Sequence, residues 1–294
     1  MRMPTPACPS VLDYVARWRE LVTARAEQGR RLDPQHGRTD HWGGGRAQRF
    51  QRSVVAAREG GDPLLELLRP LLGPETTVLD VGAGPGRHVL PLARLVRHVT
   101  AIEPSAAMRG LLQENLSREG LTNVTVVADE WPEAGATLAP ADIVICSHVV
   151  YGVAEIAPFV QALHAAARRR VVLAMRFGQR EEALLDLFAR IWGEPRCPAP
   201  TAVDLFGVLA QLGIFANVQV VPFPRPRAFD HLDDAVTQVK ADLLNPSTPE
   251  AEGLIRADLA TRLVTRAGKL TFDLPPAWAA LLHWAPASAN LHTH

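Results

Sequence analysis

Lysine is nearly absent from this chain: Lys240 and Lys269 are the only two, so almost all of its positive charge is arginine. Lysine and arginine together, 31 residues, balance 31 aspartates and glutamates. No overall field of either sign is therefore present to attract nucleic acid or acidic lipid. Positive charge is in local excess over residues 1–60, where eleven arginines face six carboxylates. Against the scarcity of lysine and the abundance of alanine and proline, that excess reads as composition bias rather than a basic docking surface. Cysteines are few, and Cys8, Cys146 and Cys197 are odd in number and far apart. Such spacing argues against a disulfide framework or a zinc cluster. The opening "MRMPTPACPSVLDY" lacks the apolar centre of a signal peptide. No apolar run approaches the ~18 residues a membrane helix needs. These absences predict a cytoplasmic protein that neither spans a membrane nor holds a metal.

Periodicity organises what is present. Residues 10–28 space Val11, Leu12, Val15, Trp18 and Leu21/Val22 at helical intervals. A polar, glycine-bearing "RTDHWGGGRAQRF" follows, then helical runs from about 46 to 59 and over "DPLLELLRPLLGPET". From Thr76 short aliphatic runs alternate with helical stretches. The runs are 77–81, 98–103, 124–129, 142–147 and 169–177, with helices at about 86–95, 105–119 and 154–168. Near-continuous Val, Ile and Leu suit strands covered on both faces, and the alternation implies a parallel sheet with right-handed crossovers. Further on come helices near 181–192 and 202–212, a strand "NVQVVPF" over 217–223, a helical insertion over about 224–274 and a last strand over 278–286. The chain divides into an N-terminal helical cap (1–60), a core (61–180) and a remainder (181–294) that completes the sheet, all expected to form one structural unit.

The chemistry is concentrated in "VLDVGAGPGRHVLPLA", residues 78–93. A strand running into Gly82, Gly84 and Gly86 presents backbone N–H groups at its carboxyl end, where open α/β sheets bind ligands. A dinucleotide fold would place a third glycine at position 87, which is arginine here.

The motif resembles motif I of the class I S-adenosylmethionine-dependent methyltransferases, and further features follow it in the family's order. The resemblance covers about residues 60–180. It implies a doubly wound Rossmann-like α/β sheet, mostly parallel with an antiparallel last strand, and S-adenosyl-L-methionine as cofactor. Asp80, Gly82, Ala83, Gly84 and Gly86 would form the turn around the cofactor. Glu103, followed by Pro104, would grip the ribose diol at the end of the second strand, since a carboxylate can accept two hydrogen bonds at once. Asp129, Glu130 and Trp131 would stand beside the adenine. Cys146 and Ser147 would lie along the methionine portion, with Cys146 contributing its backbone carbonyl. Trp42 and Arg46 fall in the segment that often closes over the cofactor in such enzymes. Met108 reads as core.

For the transfer step, His148 and Tyr151 follow the fourth strand, which faces the methyl group in this family. His148 either accepts a proton or bonds a loop backbone; Tyr151 either orients substrate or packs beneath the N-terminal helices. The expected reaction is methylation of a small molecule. Neutral net charge and "CSHV" in place of a Pro-Pro-aromatic motif disfavour a nucleic-acid acceptor. An RNA or protein methyltransferase and a non-catalytic S-adenosylmethionine-binding protein are the alternatives. The acceptor and the oligomeric state have no signature in the sequence.

Overall fold

The computed structural model describes residues 12–33, 47, 61–178, 184–223, 228–274 and 277–286. Trp42, Arg46 and most of the segment read as a cap lie outside them. Helix α1 (Tyr14–Leu32) begins at Asp13, whose carboxylate accepts from Ala16 N–H. Helix α2 (Pro63–Leu68) is capped in the same way by Asp62, with proline in its first turn. The alternating segment then runs through β1 (Thr77–Val81), α3 (Val89–Ala93), β2 (His98–Ile102), α4 (Ala106–Glu119), β3 (Val124–Val127), β4 (Ala141–Ser147), α5 (Ile156–Ala166) and β5 (Ala167–Arg176). Ser105 caps α4 through its hydroxyl and Gly120 ends it at φ 65°, a conformation that costs a non-glycine residue about 1 kcal/mol or more. After β5 come α6 (Leu185–Trp192), α7 (Ala202–Gln211) and β6 (Asn217–Phe223).

The insertion is helical in part, with α8 (Leu232–Asp242) and α9 (Pro249–Arg262), but it also carries a small antiparallel sheet. Strands β7 (Ala228–Phe229), β8 (Leu263–Arg266) and β9 (Lys269–Phe272) line up as β7-β9-β8. This corrects the expectation of a purely helical insertion. The β8–β9 hairpin turns on two residues, Ala267 and Gly268, both at positive φ (48° and 76°). That is the tight turn whose twist matches a hairpin.

The last strand, β10 (Ala277–Trp284), enters the large sheet antiparallel to both neighbours. The seven-strand order is β3-β2-β1-β4-β5-β10-β6, and β1 through β5 are mutually parallel. The fold is thus the doubly wound, mostly parallel sheet with an antiparallel last strand that the sequence implies.

Both faces are covered. On one, Trp18 and Val22 of α1 join residues of α5 and α7 over Val144, Leu173 and Leu282. Trp18 is fully buried and its indole N–H donates to Val153 O at 2.7 Å, which ties α1 to the loop after β4. Tyr14 lies flat on Gly207, where an added Cβ would come within 2.2 Å of the ring. On the other face, α2, α3 and α4 pack over Val78, Val99, Ile143 and Val172. A third cluster joins α6 to the insertion, through Phe188, Phe229, Val236, Ile255 and Phe272.

Candidate functional site at the carboxyl edge of the sheet

β1 ends next to β2 and β4, with Asp80 in register with Ala101 on one side and Ile145 on the other. Gly82, Gly84 and Gly86 all take positive φ, at 77°, 55° and 93°. Gly82 N–H and Ala83 N–H both donate to Ile102 O, at 2.9 and 3.0 Å, folding the turn over the end of β2. A Cβ on Gly82 would come within 2.3 Å of Val149 Cγ2, and one on Gly86 within 2.7 Å of Leu112 Cδ1. Glycine is required at both for conformation and for space. Asn115 secures the turn from α4 by donating to Pro85 O at 2.8 Å.

Glu103 is buried at the end of β2. Its Oε2 accepts from Gly84 N–H and its Oε1 from Ser105 N–H, both at 2.8 Å. The acid is therefore aimed back at the glycine turn. The Pro104 carbonyl accepts from Arg109 Nη1 at 2.6 Å. Asp80 is also buried, and its Oδ2 has no hydrogen-bond partner. Burial pushes its carboxyl up to about 6; the nearby Glu103 carboxylate adds to the rise and His88 opposes it.

Past β3, Asp129 and Glu130 are exposed, and Asp129 Oδ1 accepts from Glu130 N–H at 3.0 Å. Trp131 is turned the other way. Its ring meets Phe159 edge-on at 6.5 Å and its indole N–H donates to Phe159 O at 3.1 Å. The Trp131 ring is therefore packed into the core. Met108 is buried against Ala47 and Leu111, as core.

Cys146 is fully buried in β4, where burial and the neighbouring Asp80 push its thiol far above the usual range. Ser147 ends the strand, and the chain then breaks sharply. His148 sits at φ 60° and its own N–H donates to Ala174 O of β5 at 2.8 Å. This left-handed conformation in a non-glycine residue is a local strain. It swings the imidazole over the carboxyl edge, where Nδ1 meets Tyr151 Oη at 2.8 Å. Tyr151 Oη also accepts from Arg176 N–H at 2.8 Å. The pair named from the sequence is thus one hydrogen-bonded unit anchored to the end of β5.

Residues that the sequence reading did not single out surround it. Phe223, ending β6, lies 4.8 Å from the His148 ring. The Arg176 guanidinium sits 5.2 Å from the Tyr151 ring and 5.6 Å from that of Phe223. Asp62 accepts from Arg87 Nε at 3.0 Å and lies 3.3 Å from His88 Nε2. Burial alone would raise Asp62, yet His88 and Arg87 hold it well below the usual carboxylate range. His148 is held well below its ordinary value by burial, then by the positive charge of Arg176, Arg87 and His88, with Asp62 opposing. It is neutral at pH 7. Among the described residues, no group of three or more His, Cys, Asp or Glu is placed to hold a metal. Nor is any described helix long and apolar enough to cross a membrane.

Comparison with known proteins bears on the same stretch. Residues 78–170 match a family model described as a methyltransferase domain. An uncharacterised protein of Haemophilus influenzae is 29% identical over 182 residues, 61% of this chain and 66% of that one. The ribosomal RNA small subunit methyltransferase A of Desulforapulum autotrophicum is 36% identical over 53 residues, 18% of this chain and 19% of that one. The chain thus spans about two thirds of the first relative's length and about a fifth of the second's. In three dimensions, a candidate methyltransferase of Bacillus halodurans C-125 superposes with a TM-score of 0.51 at 16% identity, covering 77% of this chain and 99% of that one. That likeness is one of fold.

Proposed function

We propose that this chain, whose residues 78–170 match a methyltransferase domain, is a class I S-adenosylmethionine-dependent enzyme that methylates a small-molecule acceptor. One observation carries the reading: Asp80, the glycine turn, Glu103 and His148 converge on one edge of the sheet, held there by β1, β2 and β4. The array fits the cofactor. Glu103 is fixed with Oε2 at the turn and Oε1 at the start of α4, and a carboxylate oriented in this way suits a vicinal diol. The partnerless, buried Asp80 Oδ2 suits a cationic donor such as an ammonium, because an unmet buried acceptor is costly. Asp129, Glu130 and the Trp131 backbone would border the adenine, and Cys146 and Ser147 would line the methionine end by their backbone. Trp42 and Arg46 would close over it from the cap.

When bound, S-adenosylmethionine supplies a methyl group on a positively charged sulfur, open to in-line displacement. The protein's contribution is alignment and exclusion of water. His148 is the group placed to manage a proton. Nδ1 is taken by Tyr151 Oη, so Nε2 is the ring nitrogen that would take a proton from an oxygen, nitrogen or carbon acceptor, in the tautomer with its hydrogen on Nδ1. Tyr151 Oη is engaged by His148 Nδ1 and Arg176 N–H, so its hydroxyl serves His148 more directly than it serves substrate. The cap, core and remainder act as one unit in this reading, with α1 tied by Trp18 to the loop that carries His148. An RNA acceptor is not favoured: the likeness to a ribosomal RNA enzyme extends over 115 residues, 37% of this chain, at 27% identity, and the chain has no net charge. Calorimetry with S-adenosylhomocysteine tests the proposal. Binding in the micromolar range is expected, and no binding, or preference for NAD, would refute it.

A further inference from the structure

The side of His148 away from the glycine turn is built differently from the cofactor side. In the order β3-β2-β1-β4-β5-β10-β6, the turn, Glu103 and Asp129 stand at the ends of β1, β2 and β3. Arg176 and Phe223 end β5 and β6, beyond β4. An acceptor that reaches the methyl group in line must approach from that second side, with His148 between the two halves. We infer that this half is a receptor for an anion: the acceptor carries a carboxylate on a flat apolar or aromatic frame, and Arg176 binds it.

Three rings, those of His148, Tyr151 and Phe223, stand together, with His148 centred 4.8 Å from Phe223 and 6.2 Å from Tyr151. They offer apolar faces to a flat skeleton. The Arg176 guanidinium lies over two of them, at 5.2 and 5.6 Å. Stacking of this kind fixes the direction of the planar cation. A guanidinium so oriented matches a carboxylate with two parallel hydrogen bonds, which an amide of the same shape cannot match in charge. The backbone of the same residue donates to Tyr151 Oη, so the anion-binding residue and the proton-handling pair share one anchor. Burial does most to depress the basicity of His148; after it, Arg176, Arg87 and His88 act on the ring with one sign and Asp62 alone with the other. A field that opposes a second positive charge favours a negative one.

This inference rests on the methyltransferase reading, and a carboxylate could reach Arg176 from two sources, the acceptor or the cofactor's own methionine portion. The test separates them. The full chain is saturated with S-adenosylhomocysteine, and benzoate is titrated against benzamide, and phenylacetate against phenylacetamide, by ligand-observed NMR. Each carboxylate is expected to bind at least ~10-fold more tightly than its amide, and Arg176→Met to abolish the difference while S-adenosylhomocysteine affinity stays within ~2-fold. Wild-type protein that fails to bind S-adenosylhomocysteine would sink the methyltransferase reading and this inference with it. Normal cofactor binding without a carboxylate preference, including no binding of any probe, overturns the inference alone. So does an Arg176→Met variant that loses S-adenosylhomocysteine yet keeps 5′-methylthioadenosine, because Arg176 would then hold the cofactor's carboxylate.

Discussion

Asp80→Asn should make the apo-protein more stable and a poorer binder. The carboxyl is buried with an unpartnered Oδ2, and its pKa rises from 3.8 to about 6. At about 1.4 kcal/mol per unit, keeping it ionised costs roughly 3 kcal/mol at pH 7. The sign follows from proton linkage. The folded state holds the proton more tightly than the unfolded chain, so stability is highest below pH 3.8 and declines as pH rises to 6. Above that the penalty is constant. Asparagine removes the charge but leaves a buried amide with incomplete hydrogen bonding, worth about 1 kcal/mol in the other direction. The net gain at pH 7.5 is therefore about 2 kcal/mol, and in a chain this long that is a rise of several degrees in melting temperature. The assay is urea denaturation of both proteins at pH 4 and pH 7.5, without ligand. The advantage of the variant should be present at pH 7.5 and gone at pH 4. Calorimetry in parallel should show weaker S-adenosylhomocysteine binding. A variant that is destabilised at pH 7.5, or whose advantage is the same at both pH values, would refute the argument.

Glu103→Ala should weaken S-adenosylhomocysteine binding by about 1–3 kcal/mol, the range for hydrogen bonds to a charged group; unchanged calorimetric affinity would remove the ribose role. Once an acceptor is found, His148→Ala should slow turnover by about 100-fold to 10,000-fold with cofactor affinity nearly unchanged. Because burial and positive neighbours depress His148, the acid limb of the wild-type kcat profile should fall below pH 6.5, and a limb above that value would assign it to another group. Trp18→Ala should cost about 3–5 kcal/mol of stability by emptying a buried site, measured by denaturant unfolding. Ala267 sits at φ 48° in a two-residue hairpin turn. Ala267→Asn should raise stability by about 1 kcal/mol, since asparagine tolerates that conformation better; a lower melting temperature would contradict it.

Local signals carried much of this architecture. The aliphatic runs from Thr76 onward became β1 to β5 because strands buried on both faces need no polar alternation. The glycines at 82, 84 and 86 stand in the turn after β1 where the sequence placed them, and all three take positive φ. The β8–β9 hairpin stayed hidden because "ATRLVTR" continues the helical pattern of α9 without a breaker, and Ala-Gly is a weaker turn signal than Asn-Gly. Trp131 shows another limit. Position after β3 gave its place at the edge, but which way a large ring turns depends on the room beside Phe159 and Gly135. Arg176 and Phe223 lie 47 residues apart in sequence and meet only through the crossover that sets β10 between their strands. No local pattern encodes such a meeting.

That placement of β10 also sets an order of assembly. Strand β6 touches the rest of the large sheet only through β10, which is made last among the described strands, after the whole insertion. On a growing chain, β3-β2-β1-β4-β5 has everything it needs while β6 must wait. Pairings over such separations are slow, because loop closure precedes any reward from contact. The glycine turn and Glu103 can thus be in place before Phe223 arrives beside Arg176 and His148. During that interval the nascent protein has the glycine-turn half of its edge finished and the Arg176 half unbuilt. Any ligand that binds the first half early would then steady the platform on which the second half is laid.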